Sequence, residues 1–461
     1  MRNIVSKYYP QLLLVILAFS FFTRVYRLDI PEKYMFDEVY HAVTAKLIAR
    51  NDIRAYEWNN PPPEPHTAVD WLHPPIAKYT QAISMKLFGE TSFGWRFSSA
   101  IFGVLVILLT ARLAYNLFNS KSISLLAALI ASLDGLLLTM SRIAMNDIHV
   151  TVFILMALNF YTIYLNSNRK RGKFLLLAAL SSGLAMGTKW SGVFSLFIIG
   201  FFEAINLIKN FFTKISKKVL LVKVKTLLKN IFLLFLILVI LPSAIYILSY
   251  AHMFMLGKDF NHFIEMHKNT WWYQTTLNAT HPAQSRPIEW FLNSKPVWFD
   301  VSWTETKRGD IYAFGNPMIF WFGDIFIFTS IIYYIYSLIA MIKAGSWKNI
   351  IFDKNSKLKK DLSKIFYLLF AYFAVWLPWQ VSPRIMFFYH YLPAVPLLSI
   401  NMAFWLNKLF ESNKQHRILA SIILIIFVLT FIIWFPHWTG IEVSNKIKDN
   451  LYFAIDSWKQ S

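Results

Sequence analysis

Residues 231–250 read IFLLFLILVILPSAIYILSY, a stretch without one charged side chain. A hydrocarbon core about 30 Å thick requires roughly 20 apolar residues per helix, so this stretch predicts a membrane-spanning helix. Similar runs recur along all 461 residues, of which 56% are hydrophobic and only 15% are charged. Membrane β-barrels show short alternating segments instead, and the sequence lacks that pattern. The sequence therefore predicts an all-α polytopic membrane protein.

Eleven spans are predicted from the apolar runs. The first span is followed by no small-residue cleavage site, which favours an uncleaved anchor over a signal peptide. Two large loops, residues 29–94 and 251–315, separate groups of spans and define three regions: 1–250, 251–315 and 316–461. The predicted spans are 10–28, 95–117, 122–140, 148–165, 174–188, 190–208, 230–250, 316–342, 364–381, 385–407 and 417–436.

Basic residues predict the orientation in the membrane. Three Lys- and Arg-rich connections lie on the same side as the N-terminus, which the positive-inside rule places in the cytoplasm. Both large loops and the C-terminal tail then lie outside. The net charge of +21 reflects this topology and attraction to anionic lipids, so nucleic acid is not predicted as a partner. The basic residues are Arg169, Lys170, Arg171 and Lys173; Lys209, Lys214, Lys217, Lys218, Lys223, Lys225 and Lys229; and Lys343, Lys348, Lys354, Lys357, Lys359, Lys360 and Lys364.

The first outer loop begins with an acidic motif that includes Asp37, Glu38 and His41. A carboxylate at the membrane boundary has a raised pKa because it is desolvated, which suits a general base. Asp37 and His41 are four residues apart and share a helix face, so they could also hold a metal ion. The alternative is an ordinary helix start, where acidic residues favour the helix dipole.

A second candidate motif is Trp71-Leu72-His73-Pro74-Pro75-Ile76-Ala77-Lys78. His73 could donate to a phosphate or orient a carboxylate. The alternative is an interfacial amphipathic helix that begins at the prolines and whose Lys78 extends to the membrane surface.

Cationic side chains form a third group of candidates at the outer ends of spans. Arg142 suits phosphate geometry, although it could instead pair with Asp147 across a short connection. Lys189, among small residues between two short spans, is typical of an anion site or of an internal counter-ion.

Arg384 and His390 open the tenth span, and their spacing predicts that both face the helix bundle. Arg24 near the end of the first span is a further candidate. Extension to the membrane surface would explain Arg24 and Lys189 equally well. The chain has no cysteine, which excludes disulfides and thiolate zinc sites.

Taken in order, these motifs resemble those of the dolichyl-phosphate-mannose–protein mannosyltransferases, glycosyltransferase family 39. The resemblance covers nearly the whole chain. It rests on Phe36-Asp37-Glu38, His73 to Lys78, Ser141-Arg142 with Asp147, Lys189-Trp190, Arg286-Pro287-Ile288-Glu289-Trp290 and Tyr389-His390-Tyr391-Leu392-Pro393.

The resemblance implies a GT-C fold and transfer of mannose from a lipid phosphate to Ser or Thr hydroxyls at the outer face. It implies Asp37 as the catalytic base, assisted by Glu38, with Arg142, Lys189, Arg384 and His390 binding the donor phosphate. Arg24, His41, His73, Lys78 and Asp147 would orient donor or acceptor. No metal site or cofactor is predicted, although a divalent ion is not excluded.

One departure concerns the loop before the eighth predicted span. Eukaryotic members carry a MIR domain there, whereas this chain has only residues 251–315. The short loop is typical of the bacterial form, with a polyprenyl-phosphate donor, location in the cell (inner) membrane, and secreted or membrane proteins as acceptors. Alternatives are transfer of another sugar, such as aminoarabinose, to a lipid or glycan, and transport of an anionic lipid.

Overall fold

The computed structural model describes residues 2–167, 171–212, 220–343 and 357–459, and most of these residues are helical. The helices are α1 Arg2–Lys7, α2 Tyr9–Val25, α3 Glu38–Ala49, α4 Ile76–Phe88, α5 Ser92–Phe118, α6 Lys121–Ser132, α7 Gly135–Met140, α8 Asp147–Asn166, α9 Arg171–Met186, α10 Val193–Phe212, α11 Leu220–Phe235, α12 Leu241–Leu248, α13 Ala251–Met255, α14 Phe260–Thr276, α15 Pro287–Trp290, α16 Pro317–Lys343, α17 Lys357–Ala374, α18 Val395–Glu411, α19 Lys414–Thr439 and α20 Asn445–Ile447. Three strands are β1 Val297–Trp303, β2 Lys307–Ala313 and β3 Val443–Ser444.

Short helices of other types connect these elements. Leu236–Ile240 form a π turn that joins α11 to α12, and Lys448–Tyr452 form another. The 3₁₀ segments are Ile53–Tyr56, Trp190–Gly192, Leu377–Val381, Phe388–Ala394 and Asp456–Trp458.

The helices confirm a multi-pass membrane architecture. Seven helices in the described ranges are long and apolar enough to cross a membrane. Three shorter apolar helices lie where the first, third and fifth spans are predicted, and α18 occupies most of the tenth. The exact number of eleven spans stays a prediction.

The third predicted span is wrong as a continuous helix. It breaks after α6, and Asp134 begins α7 by accepting a hydrogen bond from the Leu137 N–H at 2.8 Å. Aspartate is a favoured N-cap residue because its carboxylate satisfies a free N–H of the first turn.

The seventh predicted span begins too late. Its helix starts at Leu220 rather than residue 230, so Lys223, Lys225 and Lys229 lie on the helix and not in a loop. Lysine stems can cover apolar surface while their ammonium groups reach water. Lysines can therefore lie on the helix itself, and a boundary placed after the last lysine is too late. Arg169, Lys170, Lys214, Lys217, Lys218, Lys348 and Lys354 lie outside the described residues.

The tenth predicted span does not begin as an α-helix. Phe388–Ala394 form a 3₁₀ segment, and α18 starts at Val395 with Pro396 in its first turn. Proline fits the first helical turn, where its missing N–H costs no hydrogen bond. The α-helical spacing argument that placed Arg384 and His390 on one face is therefore wrong.

A small sheet in the described residues modifies the expected all-α architecture. Strands β1, β2 and β3 form an antiparallel sheet in that order. Val297 pairs with Ala313 and Trp303 with Arg308, while Lys307 pairs with Ser444 in β3. The sheet thus joins the loop before α16 to the segment after α19.

Close helix packing brings the outer connections together. The buried core includes apolar residues from α5, α6, α8 and α18. Gly135 lies against the Trp438 ring so closely that a Cβ would overlap it, which shows why α7 can pack on α19. At the opposite end, Lys121 Nζ donates to the Ser6 carbonyl at 3.0 Å. In the first loop, α3 packs on α4, and α4 packs on α5.

Candidate active site

Glu38 anchors the first turn of α3. Its side chain is fully buried and accepts two hydrogen bonds from the Arg96 guanidinium, both at 2.8 Å, and one from the Ala144 N–H at 3.0 Å. Arg96 also donates to three carbonyls of the first loop. Because these bonds occupy the carboxylate, the geometry favours a structural role over the catalytic role predicted from the motif. The sequence did not predict a role for Arg96. An arginine near the end of a span ordinarily extends its guanidinium to the membrane surface.

Asp37, by contrast, carries a free carboxylate. It is the N-cap residue of α3, and its carbonyl accepts the His41 N–H at 3.0 Å, but its side chain makes no capping bond. No hydrogen bond or ion pair of this carboxylate is found in the part of the chain that the structure describes. Burial raises the pKa of Asp37 to about 6, against the opposing influence of His41 and Lys189. A partly buried, uncommitted carboxylate with such a pKa is suited to general-base catalysis near neutral pH.

The residue before Asp37 has an unusual backbone. Phe36 has a φ of 47°, a left-handed conformation that is rare for a bulky side chain. Its ring stacks on Phe299 of β1 with a centroid distance of 4.7 Å. The three-stranded sheet therefore supports the turn that presents Asp37.

Lys189 and Asp147 form a buried ion pair beside Asp37. Lys189 Nζ lies 2.7 Å from Asp147 Oδ1, and both side chains are at most 9% exposed. Nζ is also 5.7 Å from the ring centre of Tyr389. The alternative pairing of Asp147 with Arg142 is wrong, because Asp147 pairs with Lys189 instead.

Arg142 and Arg24 bind within the protein. Arg142 donates to four carbonyls near the end of α2, at 2.7 to 3.2 Å. Cations favour this end of a helix because its last carbonyls lack partners. Arg24 is fully buried and donates to Ser20 and Ser141. These contacts leave both guanidinium groups less capacity for a lipid phosphate than the sequence predicts.

Asp70 contacts His41, His73 and Lys78. The sequence motifs did not identify Asp70 as a candidate. Its two oxygens lie 2.8 Å from His41 Nδ1, 2.9 Å from His73 Nδ1 and 2.8 Å from Lys78 Nζ. Burial disfavours the charged carboxylate, but His73, Lys78 and His41 outweigh it and hold the pKa of Asp70 well below its usual range. Burial also lowers the pKa of His73 to about 4, so this imidazole is neutral at pH 7. The three-residue spacing of Asp70 and His73 was the available signal for this cluster.

Arg384 and His390 lie on the segment before α18. Arg384 is partly buried, and its guanidinium contacts the side-chain oxygen of Gln274 at the end of α14. His390 is buried, with Nδ1 3.0 Å from the Phe387 carbonyl and its ring against Trp379. The charges of Lys189 and Arg384 both act on His390. The structure thus brings these three residues into one neighbourhood without a shared helix.

Three of these side chains could also hold a metal ion. Ligand atoms of His41, Asp70 and His73 lie within 4.8 Å of one another. Lys78 occupies the same carboxylate, however, and already supplies the positive charge that a divalent cation would bring. A hydrogen-bonded ion cluster therefore fits the geometry better than the metal site considered at Asp37 and His41.

An apolar groove of about 600 Å³ lies beside this site. It is lined by Met186 of α9, by Tyr246 and Ile247 of α12, and by Phe263 and Trp271 of α14. Tyr246 links the groove to the site, since its hydroxyl accepts a hydrogen bond from Trp190, the residue after Lys189, at 2.9 Å. One hydrogen bond thus connects the groove wall to the segment that carries Lys189.

Solved structures share this fold. The yeast protein O-mannosyltransferase Pmt1-Pmt2 complex bound to the sugar donor aligns with a TM-score of 0.77 at 15% identity, covering 96% of this chain and 92% of that chain. ArnT from Cupriavidus metallidurans bound to undecaprenyl phosphate aligns with a TM-score of 0.55 at 14% identity, covering 91% and 70% of the two chains. These likenesses establish the GT-C architecture.

Sequence comparisons give the family. A polyprenol-phosphate-mannose–protein mannosyltransferase of Mycolicibacterium smegmatis is 24% identical, with 96% of this chain and 92% of the relative covered. Residues 259–458 match the C-terminal four-transmembrane region of protein O-mannosyltransferases. Residues 14–256 match the dolichyl-phosphate-mannose–protein mannosyltransferase model, and the chain therefore belongs to that family.

Proposed function

We propose that this chain transfers mannose from polyprenyl-phosphate mannose to Ser or Thr hydroxyls of proteins. Family membership supports the reaction class. The observation that carries the proposal at residue level is the free carboxylate of Asp37, held between the Lys189–Asp147 pair and the Asp70 cluster. We further propose that the enzyme lies in the cell membrane, with its N-terminus in the cytoplasm and this site outside.

Asp37 acts as the base in a single displacement. It accepts the hydroxyl proton of the acceptor while the hydroxyl oxygen attacks the anomeric carbon. The bond from that carbon to the phosphate oxygen breaks, and the lipid phosphate leaves as a stable anion. Attack opposite the leaving group inverts the anomeric centre. None of these steps requires a metal ion.

Lys189 and Arg384 are the side chains best placed to stabilise the leaving phosphate. Preorganised cations favour the transition state because they face charge as it develops. Lys189 can share its ammonium between Asp147 and phosphate, and Arg384 has one polar side-chain partner, Gln274. Arg142 then acts indirectly, by fixing the end of α2 and the connection before α8.

The apolar groove accommodates the isoprenoid chain of the donor. Its lining is mostly apolar, and Tyr246 in its wall is bonded to Trp190, the residue after Lys189, so a lipid in the groove could bring its phosphate to the segment that carries Lys189. Lys268 and His267 at the groove wall add positive or polar contacts toward the headgroup.

Transfer of radiolabelled mannose tests the proposal. Purified enzyme in liposomes receives synthetic polyprenyl-phosphate mannose and a Ser/Thr-rich peptide, and wild type is compared with Asp37→Asn. We expect label on the peptide with wild type alone. Label on a lipid or glycan, but not on the peptide, would retain the reaction class and reject the protein acceptor. Movement of intact donor between leaflets without any transfer would favour lipid transport instead.

A further inference from the structure

The second loop contains a non-helical segment, residues 277–286, that runs from the end of α14 to the start of α15. Thr280 lies within this segment and is exposed. The other Ser and Thr hydroxyls of the segment and of the last turn of α14 are engaged. Those of Thr275 and Thr276 donate to carbonyls of α14, and that of Ser285, which is buried, accepts from an indole N–H. Among these residues, all of which the structure describes, Thr280 alone has a hydroxyl without a hydrogen-bond partner.

The chain just before this segment contacts the candidate active site. The ring of Tyr273 packs edge-on against that of Trp71, the residue after Asp70, with a centroid distance of 5.7 Å. Gln274 accepts a hydrogen bond from the Arg384 guanidinium. The end of α14 is therefore fixed both to the first loop and to the segment that carries Arg384.

The segment itself contacts the turn before Asp37. The His281 ring lies 5.3 Å from that of Phe387, and the Phe387 ring lies 6.2 Å from that of Phe36, with both distances taken between ring centres. Phe36 directly precedes Asp37 in the chain. Thr280, next to His281, is thus carried at the edge of the aromatic group beside the proposed base.

Residues 278–280 can move toward that base without loss of a hydrogen bond. None of their backbone groups bonds to the backbone of a residue that the structure describes. The segment is held further along at Ser285, whose N–H donates to the Met386 carbonyl at 2.9 Å. Five residues of extended chain span about 16 Å, which is longer than the two successive ring contacts described above. Thr280 can therefore reach Asp37 while Ser285 keeps its bond.

We propose that Thr280 is an acceptor for the enzyme's own mannosyl transfer, so that each chain modifies itself. This inference rests on the proposed function. Asp37 accepts the Thr280 hydroxyl proton while the hydroxyl oxygen attacks the anomeric carbon. A carbon–oxygen bond to Thr280 forms, the bond from that carbon to the phosphate oxygen breaks, and the lipid phosphate leaves as an anion. Polyprenyl-phosphate mannose supplies the sugar, so no further reactant is needed.

Peptide mass spectrometry locates the modification. The full-length wild type in liposomes receives polyprenyl-phosphate mannose without an added acceptor, and we expect one hexose on Thr280. Thr280→Val should carry none and should transfer mannose to a Ser/Thr-rich peptide within twofold of the wild-type rate. Thr276→Val is the matched control, because the Thr276 hydroxyl is already bonded within α14, and it should keep the hexose on Thr280.

Asp37→Asn separates self-modification from the action of another enzyme. This variant should carry no hexose on Thr280, and the presence of that hexose would overturn the proposal. An unmodified Thr280 in a wild type that labels the peptide would also overturn it, while the proposed function would stand. If wild type supplied with intact donor labels neither Thr280 nor the peptide, the proposed function fails and the inference fails with it.

Mixed liposomes test whether the transfer occurs within one chain. Asp37→Asn, which keeps Thr280, is reconstituted together with the active variant Thr280→Val. We expect no hexose on Asp37→Asn, and in wild type the rate of modification should not change when the enzyme is diluted tenfold in lipid. Modification of Asp37→Asn at the wild-type rate would show transfer between chains and overturn the proposal.

Discussion

Two adjacent carboxylates of the first loop have opposite environments. Glu38 is fully buried and its carboxylate is occupied by Arg96 and Ala144, whereas the carboxylate of Asp37 has no hydrogen-bond partner among the described residues. Successive side chains on a helix point about 100° apart, so neighbours in sequence can face a core and a cleft respectively. The motif alone could identify the pair but could not separate their roles.

The raised pKa of Asp37 predicts a pH-dependent activity. Below pH 6 the carboxyl is increasingly protonated and cannot accept the acceptor proton, so kcat/KM should fall through about 6 as pH decreases. Steady-state mannose transfer between pH 4.5 and 8 measures this limb. A rate independent of pH across that range would contradict the assignment of Asp37 as the base.

The same shift predicts that Asp37→Asn stabilises the protein at neutral pH. Burial raises the folded pKa of Asp37 from 3.8 to about 6, so ionisation opposes folding above these values. The gain has an upper limit of about 3 kcal/mol at pH 7.5, from 1.36 kcal/mol per unit, and it disappears as pH falls toward 4. Thermal unfolding in detergent measures the change, with transfer assays showing loss of activity by a factor of about 10² or more.

The Lys189–Asp147 pair predicts that a variant lacking both charges keeps most of its thermal stability but loses mannose transfer. Lys189→Met leaves a buried carboxylate unpaired and should destabilise the protein by about 3 kcal/mol. Lys189→Met with Asp147→Asn removes both charges and should restore most of the thermal stability but not mannose transfer. Full activity of this double variant would remove Lys189 from the phosphate site.

At the level of elements, helix α3 is the part of the outer region that positions the site. Its first turn is fixed to α5 by Glu38 and Arg96, and its middle is fixed to the first loop by Thr44. The carboxylates at residues 37 and 38 are thus carried by one helix whose two sides contact different neighbours. Stability of α3 is therefore a condition for presenting Asp37.

Glu38→Gln should have the opposite effect on stability from Asp37→Asn. The neutral amide cannot satisfy the buried Arg96 charge, and breaking a buried ion pair costs about 3 kcal/mol or more. Thermal unfolding of the two variants side by side gives the comparison, with the exposed Glu32→Gln as control. If Glu38→Gln unfolds like wild type but is inactive, Glu38 has the catalytic role that the motif implied.

Much of the helical architecture could be predicted from hydropathy, and the neighbourhood of Asp37, His41, His73 and Lys189 from its motifs. Hydropathy failed at Asp134, where a buried capping carboxylate interrupts an apolar run, and at Lys223, where a cationic side chain lies on a long helix. Asp70 was not predicted as a site residue because its role depends on contacts with side chains from two separate segments. The carbonyls that Arg142 binds carry no sequence signal, so its contacts with the end of α2 could not be predicted.

At the scale of the whole molecule, the two large loops and the segment after α19 are joined by direct contacts. Strand β2 joins the loop before α16 to β3 after α19, and Phe299 of β1 reaches Phe36 beside Asp37. The second loop therefore contacts the first loop beside Asp37, and the segment after α19 is joined to the second loop.

Single-cysteine labelling tests the proposed orientation, because the natural chain contains no cysteine. Thr280→Cys in the second loop and Gln415→Cys at the start of α19 are both exposed. In intact cells a membrane-impermeant maleimide should label Thr280→Cys alone, and both should react after permeabilisation. Labelling of Gln415→Cys alone in intact cells would invert the topology.

The pairing of β2 with β3 has a consequence for biogenesis. Asn445 bonds to Glu305, 140 residues earlier in the chain, with α16, α17, α18 and α19 between them. During synthesis β3 cannot pair with β2 until these four helices and the segment after α19 have been made. The hairpin of β1 and β2, which places Phe299 against Phe36, therefore lacks its third strand until the end of synthesis. A chain that ends before Val443 should therefore hold the turn before Asp37 less firmly than the full chain and transfer mannose more slowly.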